Sequence, residues 1–189
     1  MAALSQAIDR TRTLRGAVCG AVAAAVWAVQ QPADKRAFDC EYDDVELLGK
    51  ALVRGDGWYP AGFAMHMVNG ALFGAVYSVL APALPVPPAL RGPVAAMVEN
   101  FGSWPLGAVT DHVHPRRQEL PTLAGNRRAL AQATWRHLLF GAVLGELERR
   151  VNAVVEPTPP EPEAPFSSNG HGSLEHALTV TEATGPDRP

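Results

Sequence analysis

Residues 57–90 contain no Asp, Glu, Lys or Arg. Soluble domains carry roughly a quarter of their residues as charged side chains, so an uncharged run of this length does not suit a surface bathed in water. The piece Pro82-Ala83-Leu84-Pro85-Val86-Pro87-Pro88 lies inside the run, and proline at this density ends a helix. Ahead of it, residues 61–81 supply the roughly 20 apolar positions that a bilayer core requires. Beyond it, residues 92–110 are apolar apart from Glu99 and Asn100, with Pro105 predicted to kink the helix. Two more stretches read the same way: residues 14–29, and residues 129–147, which are interrupted by Gln132, Arg136 and His137 and end at Glu146. The expected fold is all-α, a polytopic membrane bundle of four helices at these positions.

Each stretch repeats small residues at helical spacing: Gly16, Gly20 and Ala24; Gly62, His66, Gly70, Gly74 and Ser78; Gly92, Ala96, Glu99 and Ser103; Ala133, His137, Gly141 and Gly145. Positions three or four apart share a helix face. Small faces let helices approach closely in lipid, where no hydrophobic force drives helix association. A soluble alanine-rich bundle is disfavoured, because each glycine costs roughly 1 kcal/mol in a water-exposed helix.

Mean hydropathy near zero hides this organisation, because polar segments dilute it. Residues 153–189 hold seven prolines, six acidic groups and one basic group. Such a composition buries too little apolar surface to fold, and a disordered acidic tail is expected there, beside a transmembrane domain at 1–152. Between the first two helices, residues 32–60 carry seven acidic and four basic groups. Tyr42, Val45, Leu48 and Leu52 recur at spacings of three and four there, which predicts a short amphipathic helix on the membrane surface or capping the bundle. Arg10, Arg12 and Arg15 before the first apolar run resemble a secretory signal, but Gln30-Gln31-Pro32-Ala33-Asp34 is a poor cleavage site, and a retained helix is expected.

Fourteen of the sixteen basic residues are Arg, a bias that fits a GC-rich bacterial genome and a multi-pass protein of the bacterial inner membrane. The arginines before the first helix favour an internal N-terminus, while Arg116, Arg117, Arg127 and Arg128 in the last loop oppose it. No basic stripe suggests nucleic acid. The partners expected are the lipid bilayer and further copies of the chain. Two cysteines are too few for a disulfide framework or a cysteine zinc site, and no phosphate loop, dinucleotide fingerprint or nucleophile elbow occurs. An enzyme is therefore the less favoured class and no cofactor is expected.

Polar residues inside a bilayer are costly and mark functional candidates. Here they are His66, Asn69, Glu99, Asn100, Arg136 and His137, with Asp111, His112 and His114 expected at the rim. Three readings compete. The leading one is structural: Glu99 pairs with Arg136 or a histidine, and the asparagines bond between helices. The second is a proton or ion relay through His66, Glu99 and His137. The third is a metal site on His66, His137 and Glu99, or on His112 and His114.

The run His66-Met67-Val68-Asn69-Gly70-Ala71-Leu72-Phe73-Gly74-Ala75-Val76-Tyr77 resembles the His-to-Tyr helix of YagU-like bacterial inner-membrane proteins. Trp27 and Pro32 at the end of a Gly-rich helix, Ser103-Trp104-Pro105-Leu106, and His137 followed by Glu146, Glu148 and Arg149-Arg150 are similar to that family's other marks. The likeness spans roughly residues 14–151, departing around Glu99 and Asn100. It implies membrane location and singles out His66 and His137. That family has no agreed activity, so the resemblance implies no reaction.

Overall fold

The structure is a computed structural model that describes residues 10–153. The acidic proline-rich tail expected from residue 153 falls outside them but for its first residue. The described chain is helical, with no strand among the described residues: α1 (Arg10–Phe38), α2 (Asp44–Leu52), α3 (Trp58–Leu80, continued by a 3₁₀ turn, Ala81–Ala83), α4 (Pro88–Ser103), α5 (Leu106–Val113), a 3₁₀ turn (Arg117–Glu119) and α6 (Arg127–Val151). Two of these, Arg10–Phe38 and Trp58–Ala83, are long and apolar enough to cross a membrane.

The chain sets these boundaries locally. Asp43 caps α2 by accepting the Glu46 N–H at 3.0 Å, and Asn126 caps α6 by accepting the Ala129 N–H at 3.0 Å. Pro88 starts α4, where a missing N–H costs nothing. α1 stops at Asp39, whose φ of 48° is left-handed, while the Cys40 N–H turns back to the Lys35 carbonyl at 3.1 Å. Two boundaries differ from expectation. α1 runs through Pro32 and nine residues beyond position 29. The apolar stretch 92–110 is two helices, because the chain breaks outright at Trp104-Pro105.

The long helices pack in the order α3–α1–α6–α4, and α2 lies across α3. The outer pair, α3 and α4, are not packed on each other. Glycines set the contacts. A Cβ at Gly20 would strike the Gly70 carbonyl oxygen, and one at Gly74 the Gly16 oxygen. Across α4 and α6, a Cβ at Gly92 would strike the Gly141 oxygen. Gly49 and Gly62 do the same for α2 and α3. Backbones this close allow no side chain between them.

The helices sort residues by size more than by polarity. α1 buries Gly16, Cys19, Gly20, Ala23, Ala24 and Trp27 and turns Leu14, Val18, Val22, Val26 and Val29 outward. α3 buries Gly62, His66, Gly70 and Gly74 and exposes Val68, Leu72, Val76 and Leu80. α4 buries Gly92, Ala96 and Asn100 and exposes Val94, Val98 and Phe101. Around a core of Trp27, Tyr77, Phe140 and Leu144, the inner faces are mostly small or polar, while the outer faces are large and apolar. α2 is not exposed along its length: Val45, Gly49 and Lys50 are buried against the bundle, so it caps α3 and does not lie free.

Candidate functional site

The interior polar residues form two groups that leave α6 in different directions. Arg136 and His137 are adjacent in sequence, but successive positions of a helix point about 100° apart.

Arg136 is fully buried and reaches the end of α1 and the start of α2. Its Nε and Nη2 donate to the two oxygens of Asp34 at 2.6 and 2.5 Å, in a bidentate pair. Nη1 donates to Asp44 at 2.9 Å, and Nη2 also to the Tyr42 carbonyl at 3.0 Å. Gln132 donates to Asp34 at 2.6 Å and to the Cys40 carbonyl at 3.2 Å, leaving only its own oxygen without a partner. Gln30 also donates to Asp34. The Tyr42 ring sits 5.5 Å from the guanidinium, and its hydroxyl donates to Asp44 at 2.5 Å. Burial first, and then the Asp44 carboxylate, push that hydroxyl well above its usual range, so it remains a proton donor. Next to it, burial would raise the Asp43 carboxyl, but the Lys35 ammonium at 2.7 Å holds it below the usual carboxylate value.

Of the two partners expected for Glu99, Arg136 or a histidine, the structure has the histidine, His137. Asp34, the main partner of Arg136, lies in the segment read from sequence as a loop. Its signal is the continuation of the α1 inner face, from Gly20 through Ala24, Trp27 and Gln31 to Asp34, past Pro32. Pro32 reads as an end in the sequence, and its missing backbone hydrogen bond is tolerated because Gln31 before it and Asp34 after it are both buried.

The second group lines a cleft of about 300 Å³. One wall is α3, through His66, Asn69, Gly70 and Phe73; the other is the α4 end, through Glu99, Asn100, Ser103 and Trp104. Trp27 of α1 and His137 and Phe140 of α6 form the floor, and Leu47 and Leu48 of α2 and Leu106 of α5 close one end. The Trp27 ring stands edge-on to His66 at 5.2 Å and to His137 at 4.6 Å. Asn69 is exposed, and the Glu99 side chain is 42% exposed at the opposite lip.

Proton positions here follow from the partners. His137 Nδ1 lies 2.7 Å from the Ala133 carbonyl oxygen, which only accepts, so Nδ1 carries a proton. Nε2 lies 2.6 Å from Glu99 Oε2, and that contact needs one more proton, on either atom. The pair therefore shares a proton and is uncharged as a unit. His66 Nε2 is buried without a partner. Trp27 Nε1 is a buried donor without a partner. Asn100 donates to Thr134 Oγ1 at 3.2 Å, a bond between α4 and α6.

The rim residues are placed elsewhere. Asp111 accepts from the Leu123 and Ala124 N–H groups at 2.9 and 2.7 Å and pins the loop before α6. His114 is buried, with Nε2 donating to the Leu47 carbonyl at 3.0 Å and Nδ1 accepting from the Arg116 N–H at 3.1 Å. These two line a small separate cavity of about 30 Å³, and His112 is exposed. None of the three lines the larger cleft. The chemistry available in the cleft is hydrogen bonding. Among the described residues no three His, Cys, Asp or Glu are grouped to hold a metal ion.

No protein-family model, curated protein or solved structure matches the chain.

Proposed function

We propose that this chain is a multi-pass integral membrane protein of the bacterial inner membrane, with α1, α3, α4–α5 and α6 as its crossing elements. Its role on this reading is structural or accessory, not catalytic. The observation that carries it is the outward row of large apolar side chains on α1, α3 and α4, opposite inner faces rich in glycine, alanine and polar groups. In water those rows would form apolar patches far larger than a soluble monomer tolerates; in lipid they meet a matching solvent. The Arg136–Asp34–Asp44 group supports the same reading, since a charge retained inside a bilayer is paired. α4 alone, at sixteen residues, is about 24 Å long, short of the hydrocarbon core, and α5 completes the crossing after the break. The likeness to YagU-like proteins agrees with this assignment.

The reading is tested by fractionation. Cells expressing the untagged chain are lysed without detergent, and the membranes are washed in alkaline carbonate. The chain is expected to remain in the pellet and to leave it only with detergent. Recovery in the carbonate supernatant refutes the assignment.

A further inference from the structure

We infer that the cleft between α3 and α4 is a binding site for a monovalent organic cation, a substituted ammonium with an apolar body, held at the Asp44 carboxylate. The inference rests on the fold and its charges and not on the membrane reading. It gives the chain a ligand that a purely structural role does not require.

Three observations select this class. The first is a charge count. Asp34 and Asp44 share the single Arg136 cation, so that group carries one negative charge in excess. The neighbouring carboxylates are matched separately: Asp39 by Arg128, Asp43 by Lys35 and Glu46 by Lys50. Glu99 and His137 share one proton and are neutral together. An unmatched charge in an apolar interior is costly, and a cation brought from outside cancels it. The second is access. The Asp34 side chain is 1% exposed and out of reach, but that of Asp44 is 17% exposed and lines the cleft, with no Lys or Arg among the lining residues. Its two oxygens accept one bond each, from Tyr42 and from Arg136. A carboxylate has about four acceptor sites, so it can take an ammonium N–H as well. The third is the wall. Tyr42 and Trp104, edge-on at 6.4 Å, line the cleft together with Phe73 and Phe140. Ring faces attract a cation within roughly 6 Å, and the same rings cover an apolar body. At about 300 Å³ the cleft falls at the lower end of ligand sites, roughly 300–1,000 Å³, which suits a single-ring amine. A divalent metal is disfavoured, since among the described residues no three His, Cys, Asp or Glu are grouped to hold one.

The test uses the full chain purified in an uncharged detergent, with three probes of closely similar size and shape: benzylammonium, benzyl alcohol and benzoate. Tritiated benzylammonium is expected to bind saturably at neutral pH. Unlabelled benzylammonium should displace it, while equal concentrations of the alcohol and of benzoate should not. Asp44→Asn keeps an acceptor for Arg136 and deletes the excess charge. It should weaken binding by roughly tenfold or more, the loss of one charge-assisted hydrogen bond. Its melting temperature should be held or raised, because Arg136 and Asp34 are then balanced. Trp104→Leu removes a ring, leaves the carboxylate in place, and should weaken binding severalfold. Glu41→Gln, at a side chain 85% exposed and outside the cleft, should bind as the parent does. Absence of saturable binding, equal displacement by benzyl alcohol, or undiminished binding in Asp44→Asn overturns the inference. If Asp44→Asn melts too low to assay, the three-probe comparison on the parent and the binding of Trp104→Leu decide in its place. Each of these results leaves the membrane reading intact, because carbonate extraction measures insertion separately.

Discussion

Two polar groups sit side by side on α6 and are built on opposite principles. Around Arg136, six donated hydrogen bonds from two residues converge on Asp34, Asp44 and main-chain carbonyls, and Arg136 and Asp34 are both buried. Around Trp27 there is a shared proton, two orphaned nitrogens and an open cleft. The first group ties α1, α2 and α6 together and leaves only the Gln132 oxygen without a partner, with Tyr42 and Asp44 at the edge of the cleft. The second borders the cleft, with Trp27 in the apolar core and Glu99 and Asn100 bonded across to α6. Polar residues in an apolar interior are therefore not one class.

The largest effect expected from breaking this contrast is at Arg136. Arg136→Met leaves Asp34 buried without its cation, which costs about 3–5 kcal/mol; the chain should lose its folded state in detergent, read by circular dichroism and size-exclusion chromatography. Arg136→Met with Asp34→Leu removes the fully buried pair and leaves Asp44 at the edge of the group, 17% exposed and still bonded by the Tyr42 hydroxyl; it should recover most of that loss, because replacing a buried pair by apolar groups is near neutral. A double variant no more stable than the single one would show that the pair does more than neutralise itself.

Next come the crossings that position both groups. Gly20→Leu drives a side chain into the Gly70 backbone, and overpacking of this kind costs about 1–3 kcal/mol. Gly102 has nothing within 4 Å of an added Cβ, so Gly102→Ala should be neutral or stabilise by up to about 1 kcal/mol. Thermal melts of the two variants in the same detergent check the difference. If both shift alike, the glycines act through helix propensity and not through close approach.

A smaller effect belongs to the open group. Glu99→Gln removes the carboxylate from His137, but the Glu99 side chain is 42% exposed and its pair is discounted accordingly, to under about 1 kcal/mol. Vesicles carrying either form should show the proton flux of empty vesicles. Flux in the parent that vanishes in Glu99→Gln would restore the relay reading and remove the contrast drawn above.

Much of the scaffold was legible in the sequence because small residues at helical spacing report close backbone approach whatever the solvent. Gly16, Gly20, Gly70, Gly74, Gly92, Gly141 and Gly145 were read on inner faces, and they lie there. The α4 face was read one position off, centred on Glu99 where Asn100 is the buried residue, since neighbours on a helix differ by only a fraction of a turn. The Arg136 partners were illegible for another reason. Asp34 and Asp44 stand in an acidic segment whose composition says loop, and a proline in α1 reinforces that reading. Only the tertiary arrangement shows that α1 continues and carries its carboxylate back to α6. Likewise the cleft follows from the helix order α3–α1–α6–α4, which hydropathy does not encode.

The smallest expected effect sharpens the contrast at the cap over the bundle end. Lys50 bridges Glu46 at 2.6 Å and Glu119 at 3.0 Å, tying α2 to the loop before α6. Hydrogen bonds from Arg116, and then from Lys50, hold the Glu119 carboxyl down at about 2, and Asp43 is lowered too. The sign follows from the direction. A carboxylate whose folded value lies below its unfolded one contributes stability that is complete above the unfolded value, about 4 for Asp and Glu. That contribution is lost as pH falls through the folded value. Amide exchange in α2 should therefore be flat from pH 7 to 5, once corrected for the intrinsic rate, and quicken only between about pH 4 and 2. Lys50→Met should leave Glu119 held by Arg116 alone, raise the pH at which exchange quickens, and leave the carbonate-resistant fraction unchanged. An unchanged onset would assign the cap to the α2–α3 glycine contact, with its ion pairs contributing nothing measurable.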